Sequence, residues 1–311
     1  MIVFFYACEN EPKISEDISK IVVELEISRF DQKFANATSS GLPVLKKEFP
    51  YLFPKQYPDS IWEAKLKDTI QVELFEEVTK AYPNLLKQEQ DLTLLFKHIK
   101  YYFPKYRIPK IVTLTTDVDY DVRVVMADTL LLIGLDNYLG EDHKFYKGFP
   151  NYIATVLDEQ FLVSDVASTF AKQVVFPPKE RAFLGQLIYY GKELYLKDKL
   201  VPFITEAQRI QYTQDELDWA IVNEEQIWRY FVEKQLLYST DNELRSRFLD
   251  PAPFSKFQLE LDSESPGRLG RYIGWQIVKS YMEKNSEVTI QELLSIPAEE
   301  IFKESNYKPK K

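Results

Sequence analysis

The sequence predicts an α+β protein that is mostly helical and has a small sheet in its first half. Two observations lead to this fold class. Short runs of β-branched and apolar residues occur before residue 136, and apolar residues at helical spacing dominate from Asn151 onward. With 311 residues and 45% hydrophobic content the chain can bury a sizeable core, and we expect one domain over residues 21–311.

The elements of the first half follow from the spacing of its apolar residues. Alternating apolar positions predict a strand over residues 21–27, followed by a helix from near Arg29. Apolar residues four positions apart predict one helix over residues 62–78 and another over 85–103. Two buried strands are predicted over residues 110–116 and 126–135, joined by an acidic turn at 117–121.

The second half contains two clear helix starts. Thr213 with Glu216, and Thr289 with Glu292, have the form of capping boxes, in which the two side chains satisfy free backbone donors. The first box predicts a helix whose apolar stripe runs to Phe231 with a carboxylate, Glu224, in its middle. Burying a lone carboxylate is costly, so we expect an Arg, Lys or Tyr partner, or alternatively a working site group.

Two further helices carry candidate residues. A helix over residues 180–196 has Tyr189 and Glu193 on the side opposite its apolar stripe. Gly267, Gly270 and Gly274 align on one side of a later helix, which indicates close backbone approach to another element or to a ligand. Tight helix packing is the simpler interpretation.

Composition argues against several classes of protein. The net charge of -9 and the pI of about 5.1 make nucleic acid an improbable partner. Neither a phosphate-binding glycine loop nor an apolar run of membrane-spanning length occurs in the sequence.

Metal and cofactor chemistry has little support in the sequence. His98 and His143 are the two histidines, neither lies in an H-E-x-x-H motif, and we expect both at the surface, His143 paired with a charge. The run Asp117, Asp119, Asp121 departs from a calcium loop at its sixth and twelfth positions, and we predict a solvated acidic hairpin turn instead. We therefore predict no metal, no cofactor and no histidine-dependent triad.

The single cysteine, Cys8, ends the apolar run of residues 1–7 and precedes a polar stretch. This order is similar to the end of a lipoprotein signal peptide, in which the cysteine is acylated. We expect residues 1–7 to be a signal remnant, 8–20 a tether, and the start codon to lie upstream, since the basic n-region is missing. The alternative is a short buried strand with a plain core thiol.

Several stretches together resemble the GldB family of gliding-motility lipoproteins from Bacteroidota. They are residues 134–140 (GLDNYLG), 187–195 (LIYYGKELY), 223–228 (NEEQIW), 251–254 (PAPF) and 265–278 (SPGRLGRYIGWQIV). The resemblance implies acylation at Cys8, a periplasm-facing envelope location, and a part in gliding motility and the linked secretion machinery.

A looser resemblance reaches zinc peptidases of the H-E-x-x-H type. It implies a degenerate peptidase-like core in which the motif's histidine and glutamate would fall near Tyr189 and Tyr190, and its second histidine near Glu193. Glu224 or Glu225 would stand for the later carboxylate ligand.

These observations leave two main hypotheses about function. The first is a non-catalytic, membrane-tethered interaction or assembly protein whose partners are other gliding or secretion proteins of the envelope. The second is a periplasmic hydrolase with an unfamiliar site around Tyr189, Glu193 and Glu224. A soluble small-molecule binder, a third possibility, would require an unmodified Cys8.

Overall fold

The computed structural model describes residues 16–259 and 262–309 and confirms the predicted α+β class. Cys8 lies outside the described residues. The chain is mostly helical, and a four-stranded sheet is formed in the first half. In chain order the α-helices of the described residues are α1 Glu16–Ser19, α2 Phe30–Ala35, α3 Leu42–Glu48, α4 Asp59–Lys67, α5 Thr69–Ala81, α6 Leu86–Tyr102, α7 Asn151–Ala154, α8 Leu162–Val174, α9 Phe183–Leu200, α10 Glu206–Ile210, α11 Gln214–Val222, α12 Glu224–Glu233, α13 Glu243–Phe248, α14 Leu269–Lys284, α15 Ile290–Ser295 and α16 Ala298–Ser305.

The strands of the sheet are β1 Ile27–Arg29, β2 Lys110–Leu114, β3 Val124–Ala127 and β4 Leu130–Gly134. The sheet is mixed and has the strand order β1-β2-β4-β3. The two pairs β1–β2 and β2–β4 are parallel, whereas β3 and β4 form an antiparallel hairpin.

The two faces of the sheet serve two different hydrophobic clusters. Ile111 and Ile133 point into the large core that the helices of the second half complete. Val112 and Leu132 point the other way because successive side chains of a strand alternate between faces. On that side they belong to a smaller cluster rich in phenylalanine, whose other buried members are Phe34, Leu42, Leu45, Phe49, Phe53 and Phe75. The sheet thus lies between two helical layers.

The predicted strands are present, but their bounds differ: β2 ends at Leu114 and not at residue 116, and the other two differ more. Strand β1 begins only at Ile27, because β2 pairs with Ile27–Arg29 and leaves most of residues 21–26 without a ladder partner. The predicted strand over residues 126–135 is a hairpin, in which Asp128 adopts a left-handed φ of 47° and turns the chain. Because β2 and β4 are parallel, the acidic loop at 117–121 leads from β2 to the far strand β3 and is not a hairpin turn.

The single helices predicted over 62–78 and from Gln214 to Phe231 are each two helices. Asp68 ends α4 with an extended backbone, and its side chain accepts hydrogen bonds from the first amides of α5. Asn223 separates α11 from α12, and its side-chain amide donates 2.8 Å to the Trp219 carbonyl oxygen. A short polar side chain that hydrogen-bonds to the backbone favours such a break in a helix. The spacing of the apolar residues alone does not reveal it.

Both predicted capping boxes are present and start α11 and α15. A third one, Thr205 with Gln208, starts α10. Helix α9 runs through the middle of the second half and packs on α6, α8, α14 and α16. It therefore carries the residues around which the candidate site is built.

Candidate functional site

Helices α9 and α14 approach each other at glycines. A Cβ atom placed on Gly274 would overlap the carbonyl oxygen of Leu187, and one placed on Gly191 would overlap that of Gly274. Added Cβ atoms on Gly267 and Gly270 would likewise meet carbonyl oxygens of the segment that precedes α14. Glycine alone permits this distance between two helix backbones. The contact fixes the N-terminal end of α14 against the middle of α9.

A polar cavity of about 490 Å³ opens between these two helix regions. We call it the arginine–tyrosine cleft. Its wall contains four arginines, three tyrosines and several carboxylates, which come from the segment before β3, from α8, α9, α13 and α14, and from the loops next to α14. The side chains that characterise it are Arg123, Arg245, Arg268, Arg271, Tyr120, Tyr189, Tyr190, Asp165, Asp250 and Glu193.

The two adjacent tyrosines of α9 lie beside Arg271. The Arg271 guanidinium lies over the Tyr190 ring at 4.1 Å from its centre, and Tyr189 and Tyr190 meet edge to face at 5.0 Å. Cation–π contacts of this kind hold an arginine in place without neutralising it. Burial raises the pKa of Tyr189, and the nearby Glu193 carboxylate raises it further.

Arg268 precedes α14 and holds an unusual backbone conformation. Its φ is 61°, in the left-handed region, and the same holds for Gln211, whose φ is 60°. The Arg268 side chain donates 2.6 Å to the carbonyl oxygen of Gln211 and lies over the Tyr212 ring. Burial lowers its pKa to about 10. The two strained residues thus support each other and place a guanidinium in the cleft wall.

Asp165 on α8 has a full set of hydrogen bonds. Arg123 donates to it through two nitrogens at 2.7 and 3.0 Å, Tyr138 donates at 2.9 Å, and Gln211 contributes a further short contact. This arrangement matches the bidentate geometry in which arginine and carboxylate pair most strongly. Asp165 and Arg123 therefore form the structural floor of the cleft.

Glu193 has a different environment. Its side chain is 6% exposed, yet within the described residues neither carboxylate oxygen accepts a hydrogen bond. The buried Lys197, one turn later on α9, donates instead to the hydroxyl of Ser168 at 2.8 Å. Burial lowers the pKa of Lys197 to about 8, against the favourable charges of Glu193 and Asp165. The cleft thus holds a buried acid whose Oε2 atom has no hydrogen-bond donor among the described residues.

Glu224 lies in a second cavity, of about 550 Å³, on another part of α14. It is the first residue of α12 and is 2% exposed. Its two oxygens accept hydrogen bonds from the hydroxyls of Tyr272 and Tyr307, each at 2.8 Å. Tyrosine was among the partners that the sequence led us to expect. Burial, together with the Glu224 charge, raises the pKa of both tyrosines.

The residues suggested by the peptidase resemblance are therefore divided between places. Tyr189, Tyr190 and Glu193 line the arginine–tyrosine cleft, whereas Glu224 lines the second cavity. Glu225 points elsewhere and pairs with Arg229 at the surface. The three residues of the hydrolase hypothesis, Tyr189, Glu193 and Glu224, do not line a common cavity.

The two histidines lie away from the cleft. The prediction that His98 is a surface residue is wrong: it is 3% exposed and packs beside Phe203, because it shares the inner face of α6 with Leu95. Burial lowers its pKa, and neither ring nitrogen has a hydrogen-bond partner of normal geometry within the described residues. His143 lies 3.4 Å from a Glu77 oxygen, which matches the expected charge pairing.

Some residues that shape the cleft were not singled out from the sequence. Asp165 lies far in the sequence from Arg268 and Arg271. Lys197 is one of several lysines near the end of α9, so nothing in the sequence marks it as buried. The Gly-Arg-Leu-Gly-Arg spacing before α14 was the available signal, since it places two arginines three residues apart beside two glycines.

Within residues 16–259 and 262–309, no group of three or more His, Cys, Asp or Glu side chains is arranged to hold a metal ion. None of the helices in this part of the chain is both long and apolar enough to cross a membrane.

The family model described as gliding motility protein GldB matches residues 11–309. The chain belongs to the GldB family. This match covers nearly the whole chain and both cavities, so the cleft and the Glu224 pocket are parts of the GldB unit. No curated protein and no solved structure shows significant similarity to this GldB chain.

Proposed function

We propose that this GldB-family chain is a lipid-anchored protein of the cell envelope that serves gliding motility and the linked secretion machinery by binding, not by catalysis. Cys8 would carry the lipid, residues 8–20 would be the tether, and residues 21–311 would form one periplasm-facing domain. Other envelope proteins of the gliding or secretion machinery would be its partners. The family match over residues 11–309 supports the role in motility.

The observation that carries the non-catalytic part is the packing around Tyr189, Tyr190 and Glu193. At these positions the peptidase resemblance would require two histidines and a general base. Here Tyr190 packs against Arg271, Tyr189 packs against Tyr190, and both histidines of the sequence lie elsewhere. These contacts favour a binding cleft over a metal-dependent active site.

A cell-based experiment tests the anchor and the motility role together. In a gliding host that lacks its own copy of the gene, the chain is expressed with a complete lipoprotein signal peptide in front of Cys8. We expect the unaltered chain to restore colony spreading and Cys8→Ser to reduce it strongly. Labelling with a fatty-acid analogue should mark the unaltered chain and not Cys8→Ser. Full spreading by an unlabelled Cys8→Ser chain would overturn the anchor, and failure of the unaltered chain to restore spreading would overturn the motility role.

A biochemical experiment tests the rival hydrolase. The purified chain is analysed for metal and assayed against a broad peptide library, alongside Glu193→Gln and Glu224→Gln. We expect no turnover from any of the three. Stoichiometric zinc, or turnover that either substitution abolishes, would overturn the binding role and support the hydrolase.

A further inference from the structure

The arginine–tyrosine cleft holds positive charge that the protein itself does not neutralise. Arg268 donates to the carbonyl oxygen of Gln211, and Arg271 donates 2.5 Å to that of Leu249. Among the described residues, neither guanidinium has a carboxylate within ion-pair distance. By contrast, Arg245 at the rim is paired with Asp250.

The positions of these two arginines add to their effect. Arg268 immediately precedes α14, and Arg271 is in its first turn. The N-terminal end of a helix of this length carries partial positive charge, so an anion near Arg268 and Arg271 would be favoured by both sources. In a chain with a net charge of -9, two partly buried arginines without a carboxylate partner favour an anionic ligand.

Glu193 supplies an independent observation on the same cleft. It is more than nine-tenths buried and lines the cavity, yet it accepts no hydrogen bond from the described residues. The charges of Lys197 and Glu193 attract each other, but the Lys197 ammonium group donates its hydrogen bond to the Ser168 hydroxyl. A buried carboxylate without a donor is costly unless a ligand supplies one.

The unpaired arginines and the Glu193 carboxylate would bind groups of opposite charge on one ligand. The arginines need an oxyanion, and Glu193 needs a hydrogen-bond donor that is best positively charged. The cavity volume of about 490 Å³ is within the usual range for small-molecule sites, and Tyr189 and Tyr190 provide flat walls beside both ends.

We propose that the arginine–tyrosine cleft binds a zwitterion, with its oxyanion on Arg268 and Arg271 and its ammonium group on Glu193. The oxyanion is a carboxylate, as in an amino acid or a short peptide, or a phosphate, as in an ethanolamine lipid headgroup. The proposal depends on the proposed function only in taking the cleft as a binding site.

A series of simple ligands tests the requirement for both charges. The full 311-residue chain is titrated by calorimetry at low ionic strength with glycine, β-alanine, 4-aminobutyrate and 6-aminohexanoate, which differ in the distance between the two charges. Hexanoate and hexylamine each lack one charge. We expect the best-fitting zwitterion to bind about tenfold or more tightly than either singly charged ligand. Phosphoethanolamine and inorganic phosphate then separate a phosphate ligand from a carboxylate ligand.

Two substitutions assign the ends of the ligand. Glu193→Gln should reduce the affinity for the zwitterion to that for hexanoate, while hexanoate itself binds as before. Arg271→Gln should weaken hexanoate and the zwitterion alike, by about tenfold. Arg229→Gln, an exposed arginine of α12 outside the cleft, is the matched control and should change neither affinity.

Three results would overturn the proposal. The first is that none of the carboxylate or phosphate ligands binds at millimolar concentration. The second is that hexanoate and the best zwitterion bind with equal affinity. The third is that Arg229→Gln abolishes binding. Circular dichroism checks that each variant is folded. If Glu193→Gln does not fold, Arg271→Gln and the ligand series still decide the question. Because no cell is involved, failure here is distinguishable from failure of the motility role.

Discussion

Glu193 and Glu224 are two buried glutamates whose surroundings differ in one respect. Each is more than nine-tenths buried, each lines a cavity, and each lies near α14. Glu224 accepts hydrogen bonds from two tyrosine hydroxyls, whereas Glu193 accepts none among the described residues. This difference indicates that Glu224 has a structural role, whereas Glu193 can accept a hydrogen bond from a ligand.

The two sites share helix α14, which carries Arg271 for the cleft and Tyr272 for the Glu224 pocket. The largest expected effect therefore comes from moving this helix. Gly274→Ala places a Cβ atom against the Leu187 carbonyl oxygen on α9, and we expect it to lower the free energy of unfolding by about 3 kcal/mol or more. Both sites should be disturbed at once.

Denaturant unfolding measures this effect, and Gly41→Ala is the control. At Gly41 an added Cβ atom would lie 3.4 Å from its nearest neighbour, an ordinary contact, so the change should be small. Equal stabilities of Gly274→Ala and Gly41→Ala would show that the α9–α14 contact is not the element on which both sites depend.

The next largest effect should separate the two glutamates. Glu224→Ala removes the acceptor of two tyrosine hydroxyls, that of the buried Tyr272 and that of the partly buried Tyr307. We expect it to lower the free energy of unfolding by about 2 to 4 kcal/mol. Its neighbour Glu225 is exposed and paired only with Arg229, so Glu225→Ala should cost about 0.5 kcal/mol or less. A small cost at Glu224 in the same denaturant titration would contradict a structural role.

A pH experiment sharpens the electrostatics on the cleft side. The pKa of Lys197 is lowered by burial from 10.5 to about 8, so above pH 8 the folded chain has lost a proton that the unfolded chain still binds. The free energy of unfolding should therefore rise between pH 8 and 9.5, and the rise should be about 1 to 2 kcal/mol smaller in Lys197→Met. Lys172→Met, an exposed lysine of the same cleft, is the control. Parallel pH profiles for the unaltered chain and Lys197→Met would show that Lys197 titrates normally.

The difference between the two glutamates was only half visible in the sequence. Helical spacing correctly placed Glu224 in an apolar setting and led us to expect an Arg, Lys or Tyr partner, of which tyrosine is the one present. Spacing could not show that Asn223 breaks the helix, because that break depends on a side-chain bond to the Trp219 carbonyl. His98 was misplaced for a related reason, since burial of a polar residue depends on which helix later packs against it.

The cleft itself lay further beyond the reach of the sequence. Tyr189 and Glu193 were found because they are four residues apart on one helix. Arg123, Asp165 and Arg268 come from segments far apart in the chain. The left-handed backbone at Arg268 could not be predicted either, because the residue is not a glycine. The fold class and the capping boxes are local properties and could be predicted, whereas the charge balance of a cavity is a property of the assembled structure.

The smallest expected effect belongs to Glu193 and decides the comparison. Glu193→Gln removes a buried charge that has no hydrogen bond, which should stabilise the fold, but it also removes a favourable charge near Lys197. Because these terms oppose each other, we expect a net change within about 1 kcal/mol at pH 7. In a Lys197→Met background only the first term remains, so the same substitution should be stabilising. A double-mutant cycle measured by denaturant unfolding gives both values. If Glu193→Gln costs as much as Glu224→Ala in both backgrounds, then Glu193 is a structural residue like Glu224, and the cleft loses the open acid on which a ligand would depend.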